Sequence, residues 1–229
     1  MEIASLCLNM YQDIISNIST FSIIIAAVLG VIRFNQIQKS YYPFIYICWL
    51  GVLIEIVAFV FQKSSGTLLP SNIYVLLEGL LFIWQFNKWG SFHRRPWLFF
   101  IIQAAIIVLW VVDSFLINTI HELSSYYRIS YSVLLVILAI DQINKLIVRE
   151  RKSFVTNAKF LICIGVIIFF SYKITTETFY LYALRKNSSS EFVFSIFAIQ
   201  KYVNLFANLL YAYVIIWIPR KKIFLQPLK

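Results

Sequence analysis

The chain is partitioned by apolar runs near twenty residues long, and a run of that kind has few ways to fold. Residues 44–61, "FIYICWLGVLIEIVAFVF", are typical. An α-helix rises about 1.5 Å per residue, so roughly twenty residues cross a ~30 Å hydrocarbon core. The helix also satisfies its backbone polar groups internally, which lipid cannot do for it. Such runs fall near 14–33, 43–62, 72–89, 96–118, 126–148, 158–183 and 191–218. The expected fold is an all-α integral membrane protein, with residues 1–229 forming a single seven-helix transmembrane domain. The composition agrees: only 13% of the residues are charged, against about a quarter in soluble domains.

A net charge of +10 would suit a polyanion, so the positions of the charges must decide what it means. On one side of the seven-span arrangement lie Arg33, Lys39, Lys88, Arg94, Arg95, Lys145, Arg149, Arg151, Lys152, Lys159, Arg220, Lys221, Lys222 and Lys229, which is 14 of the 20 basic residues. The other side has only Lys63, Arg128, Arg185 and Lys186. By the positive-inside rule the first side is cytoplasmic, the amino terminus is outside and the carboxyl terminus inside. The runs "FHRRP" and "VRERKS" then read as topology determinants touching anionic headgroups, and nucleic acid is not an expected partner.

The opening "MEIASLCLNMYQD" has no basic stretch ahead of an apolar one, so the first span reads as an uncleaved anchor. Trp49, Trp89, Trp97 and Trp217 all fall toward the basic helix ends, where an interfacial belt is expected. The bias toward Ile, Phe, Tyr, Asn and Lys fits an AT-rich bacterium, and so the inner membrane.

Enzyme chemistry finds little support. Cys7, Cys48 and Cys163 have no ligand spacing, and His93 and His121 fall outside the spans, so no metal site is expected. There is no GxSxG, and the six glycines form no phosphate loop.

The informative residues are charges inside the spans: Glu55, Glu78, Asp113, Lys173, Glu177 and Lys201. Counted along their helices, all lie about 8–15 Å from the outer end. A charge facing the bilayer centre costs at least about 2.5–3.5 kcal/mol, so the six are expected to face inward, pair or meet water. Helical spacing supports this. Lys173, Thr176, Glu177 and Tyr180 share one face of the sixth span, and Lys201, Asn204, Asn208 and Tyr211 share one face of the seventh. Tyr74, Glu78 and Gln85 align on the third. The expectation is an outward-facing polar pocket with ligand contacts from Glu55, Glu78, Asp113, Lys173, Tyr180, Glu177, Lys201 and Asn204, and with Glu177 as the partner of Lys173. The plainer reading of Asn204, Asn208, Gln103 and Gln85 is interhelical glue. Asp141 reads first as an i,i+4 partner of Lys145, and alternatively as an inner gate.

Mixed carboxylates and ammoniums suit a small polar or zwitterionic ligand. The leading expectation is a receptor or sensor that signals to a separate cytoplasmic protein. The alternative is a small proton-coupled transporter, against which stand the lack of an internal repeat and of helix-breaking residues in mid-span. A defence-type membrane effector is a further alternative. Lys201 in the last of seven spans, with Glu78 on the third, resembles the retinal Schiff-base arrangement of rhodopsins. That resemblance implies retinal on Lys201 with Glu78 as counter-ion; otherwise no cofactor is expected. "FFSYKITTETFY" departs from the family by placing a second lysine and a carboxylate where a rhodopsin has an aromatic retinal wall.

Overall fold

A computed structural model describes residues 18–61, 68–117, 123–149, 157–186 and 190–221. Cys7, Lys63, His121, Arg151, Lys152, Lys222 and Lys229, named above, lie outside the described residues. So do the side chains of Arg149, Arg185 and Lys186.

The described residues form seven helices. They are α1 (Ile23–Arg33), α2 (Tyr42–Phe61), α3 (Leu69–Lys88), α4 (Trp97–Val112), α5 (Ser125–Arg149), α6 (Ala158–Lys186) and α7 (Ser190–Trp217). Helical residues precede α1, so its apolar helix as a whole runs Ile18–Arg33. A π-helical turn, Asp113–Ile117, continues α4. Among the described residues, 5 helices are long and apolar enough to cross a membrane, those that contain Lys39–Ala58, Leu69–Lys88, Trp97–Ile117, Ser125–Val148 and Ala158–Ala183. Ile18–Arg33 is apolar but shorter. The fifth and last of the set, α6, runs unbroken through "KITTETFY".

Neighbour packing closes a ring in the order α1, α2, α3, α5, α6, α7 and back to α1, while α4 lies outside it against α3 and α5. The position of α4 shows in its surface: Phe100 is 68% and, just beyond its end, Leu116 77% exposed. Contiguous apolar surface of this kind suits acyl chains rather than water.

Polar side chains fasten one end of the ring. Gln85 accepts from the Phe44 N–H at 2.8 Å and donates to the Ser40 carbonyl at 2.7 Å, which anchors the start of α2 on α3. Arg33 donates to the Ile215 and Ile218 carbonyls, covering the open C-terminal carbonyls of α7. The chain after α7 pairs with the α1–α2 connection, where Gln38 N–H meets the Pro219 carbonyl at 3.1 Å and Lys221 N–H meets the Gln36 carbonyl at 2.8 Å. α3 ends in a tight turn, with Gly90 at φ 86° and the Ser91 N–H returning to the Phe86 carbonyl at 3.1 Å. That left-handed position is one a glycine fills without strain. The same end carries Arg33, Lys39, Lys88, Lys145, Arg220 and Lys221.

The expected tryptophan belt is corrected in part. Trp97 and Trp217 are exposed at this end, but Trp89 is buried, and Trp49 donates its indole N–H to the Ala27 carbonyl at 3.2 Å. Trp49 and Trp89 pack between helices because the α1–α2 and α3 junctions need large rings to fill them. Trp49 is within 5.2 Å of Phe34, and Trp89 within 5.8 Å of Tyr41, measured between ring centroids.

Candidate functional site

Inside the ring is a cavity of about 360 Å³, within the range typical of small-molecule sites. Five helices line it: α1 with Ser19, Thr20 and Ile23; α2 with Cys48, Gly51 and Glu55; α3 with Tyr74, Glu78 and Phe82; α6 with Phe169 and Phe170; and α7 with Gln200, Lys201, Asn204, Asn208 and Tyr211. The lining follows from helical period. On α7 the spacing 201, 204, 208, 211 keeps one stripe facing inward over nearly three turns.

The stripe is held to α1 by small hydroxyls. Ser19 donates to the Lys201 carbonyl at 2.7 Å and accepts from Asn204 at 3.4 Å. Ser22 accepts from Asn208 at 2.9 Å and donates to the Ser19 carbonyl at 2.6 Å. Asn208 therefore acts as glue, and so does Gln85, buried in the junction of α2 and α3.

Of the residues expected to meet a ligand, Glu55, Glu78, Lys201 and Asn204 line the cavity, while Asp113, Lys173, Glu177 and Tyr180 do not. The division follows helix position. Asp113 ends the peripheral α4, and its carboxylate accepts the Tyr127 N–H at 2.8 Å in the first turn of α5, which makes it a helix cap. Tyr180 lies against Phe197, with ring centroids 6.1 Å apart.

Lys173 and Glu177 both point into the protein, as the sequence implied, but they are not each other's partner. Lys173 donates to Glu78 at 3.2 Å and to the Tyr131 hydroxyl. Its ammonium also lies 5.1, 5.6 and 5.4 Å from the ring centroids of Tyr131, Phe169 and Phe170, inside the cation–π range. Glu78 further accepts from Tyr74 at 2.9 Å and Tyr131 at 2.7 Å, so three helices converge on one carboxylate. Glu177 instead faces α5, accepting from Ser125 Oγ at 2.7 Å and lying 3.7 Å from Arg128. One turn of α6 thus serves two separate ion pairs.

Arg128 is a second correction. Read from the sequence as part of an outer connecting segment, it is buried in the bundle and reaches both Glu177 and the Ser71 hydroxyl, the latter at 2.8 Å. The missed signal was present: Ser125, Arg128 and Ser132 are spaced i, i+3, i+7, the same period that marked the inward faces of other helices. Tyr131, which bridges Glu78 and Lys173, was missed because a tyrosine within a span does not announce its hydroxyl's partner.

Asp141 lies at the basic end, on the exposed side of α5, and pairs with Lys145 one turn on. It does not line the cavity.

Two charged cavity residues stand apart from these networks. Among the described residues, neither Glu55 nor Lys201 has an ion-pair partner. Tyr211 adds a buried hydroxyl with no hydrogen-bond partner among the described residues. Its ring fits only because residue 165 lacks a side chain: a Cβ there would stand 2.6 Å from Tyr211 Cε1. Gly165→Ala should therefore displace the ring and shrink the cavity. The expected cost is about 1–3 kcal/mol, the usual range for overpacking, read as a lower unfolding midpoint in micelles.

These features define a multi-pass helical membrane protein that encloses a cavity with charged walls. No protein-family model, curated protein or solved structure matches the chain.

Proposed function

We propose that this protein is a seven-span receptor or sensor of a bacterial inner membrane, with its amino terminus outside and its carboxyl terminus cytoplasmic. The cavity binds a small polar or zwitterionic ligand, and the signal passes to a separate cytoplasmic protein through shifts of the lining helices. One observation carries the reading: Glu55 and Lys201 line the same cavity with no ion-pair partner of their own among the described residues. A half-buried charge at membrane depth without a counter-charge is costly in a bilayer, and a ligand bearing both signs would offset the cost at both residues. The concentration of Arg33, Lys39, Lys88, Lys145, Arg220 and Lys221 at one end supports the orientation.

The test is a thermal-shift screen of the purified protein in nanodiscs against small zwitterions. A ligand present at 100 times its Kd stabilises the folded state by about 2.7 kcal/mol. Glu55→Gln and Lys201→Gln should each weaken the response. No shift with any zwitterion at millimolar concentration would sink the reading.

A proton-coupled carrier is the second reading, favoured by one feature. From the cavity wall, Tyr74, Glu78, Tyr131 and Lys173 form a continuous line of exchangeable protons. Solute-driven acidification of liposomes would support it, and solute binding without proton movement would return the case to the receptor.

A further inference from the structure

The cavity lining is graded from end to end. On α7, Gln200, Lys201 and Asn204, with Phe197 a turn before them, precede Ala207, Tyr211 and Asn208, whose amide is engaged by Ser22; on α1, Ser19 and Thr20 precede Ile23; on α3, Tyr74 and Glu78 precede Phe82. α2 runs the opposite way, so Glu55 follows Ile47, Cys48 and Gly51. All four helices therefore place their charged and most of their polar lining at one level and mostly apolar lining at the other. From Lys201 to Tyr211 is about 15 Å along the helix, and from Glu55 back to Cys48 about 10 Å. At the far level stands the Tyr211 hydroxyl, buried and without a hydrogen-bond partner among the described residues.

A small, wholly polar ligand would satisfy Glu55 and Lys201 and leave the rest of the cavity unmatched. Apolar walls gain by excluding water, and a ligand body of matching polarity supplies that gain. We infer that the occupant is an amphipathic zwitterion: an ammonium and a carboxylate or phosphate at the level of Glu55 and Lys201, on an aliphatic or aromatic body reaching toward Cys48, Ala207 and Tyr211. This rests on the ligand-binding reading above and narrows its ligand class. The same chemistry is found in a free apolar amino acid and in an aminophospholipid headgroup with its chain.

The experiment is a binding series on the full chain in phosphatidylglycerol nanodiscs, which contain no ammonium lipid. The probes are glycine, 2-aminohexanoate and 2-aminodecanoate, with lysophosphatidylethanolamine as the lipid arm. Between the six- and ten-carbon amino acids, Kd should fall about fourfold per added methylene, the factor corresponding to about 0.8 kcal/mol per buried CH2. Ala207→Leu, which fills the apolar level, should flatten the series, with the largest loss of affinity for the ten-carbon probe. If Ala207→Leu does not fold, the wild-type series decides alone. Tight binding of the lysolipid without binding of 2-aminodecanoate supports the inference and identifies a lipid source. Equal Kd for glycine and 2-aminodecanoate overturns the inference while leaving a zwitterion site standing. Binding of no probe overturns both.

Discussion

Lys173→Met should cost about 3–5 kcal/mol of stability, the range for leaving one partner of a buried ion pair alone. Glu78 would keep the Tyr74 and Tyr131 hydroxyls as donors but lose its one cation among the described residues, in a site where the lysine and glutamate side chains are 11% and 5% exposed. The informative comparison is the double variant. Glu78→Gln with Lys173→Met removes both charges and retains an acceptor for the two tyrosines, so stability should return to within about 1.5 kcal/mol of wild type. Thermal unfolding in micelles reads all three proteins. A double-mutant cycle should give strong coupling of Lys173 to Glu78 and weak coupling to Glu177. The reverse result would mean that Lys173 pairs along its own helix after all.

Arg128 should show a second large effect with a different dependence on chemistry. Its guanidinium joins α3 and α6 through Ser71 at 2.8 Å and Glu177 at 3.7 Å. Arg128→Met should cost about 3 kcal/mol, the low end of the buried-pair range, because Ser125 still donates to Glu177. Arg128→Lys should recover only part of this. A single ammonium is a point charge, whereas the planar fork reaches two acceptors at once. Complete recovery by lysine in a chemical or thermal unfolding series would show that charge alone matters here. Glu177→Gln combined with Arg128→Met should be milder than Arg128→Met alone.

Much of this was legible in the sequence, and the reason is periodicity. Apolar length marked the helices, five of which are long and apolar enough to cross a membrane among the described residues, and α6 had to run through Lys173 and Glu177 because its apolar part alone, roughly residues 160–172, is too short to span a bilayer. Inward faces were legible too, since lipid tolerates no polar stripe: Lys201, Asn204, Asn208 and Tyr211 all line the cavity. Pairing was not. Depth along a helix says which charges share a layer, but their neighbours depend on ring order. That order puts α4 outside the ring, so Asp113 is a cap for α5 rather than a cavity group. It also sets α5 beside α6, where Ser125 and Arg128 take Glu177, while Glu78 of α3 and Tyr131 of α5 take Lys173.

The α1–α7 seam also has a bearing on biogenesis. Ser19 and Ser22 meet partners on Lys201, Asn204 and Asn208, and the Asn208–Ser22 contact spans 186 positions of sequence. During synthesis α1 leaves the ribosome well before α7, the helix that covers its hydroxyls and completes the cavity wall. Until then the emerging bundle is an open trough, with its serines facing lipid or water. Interruption of translation before α7 would leave Ser19 and Ser22 without these partners.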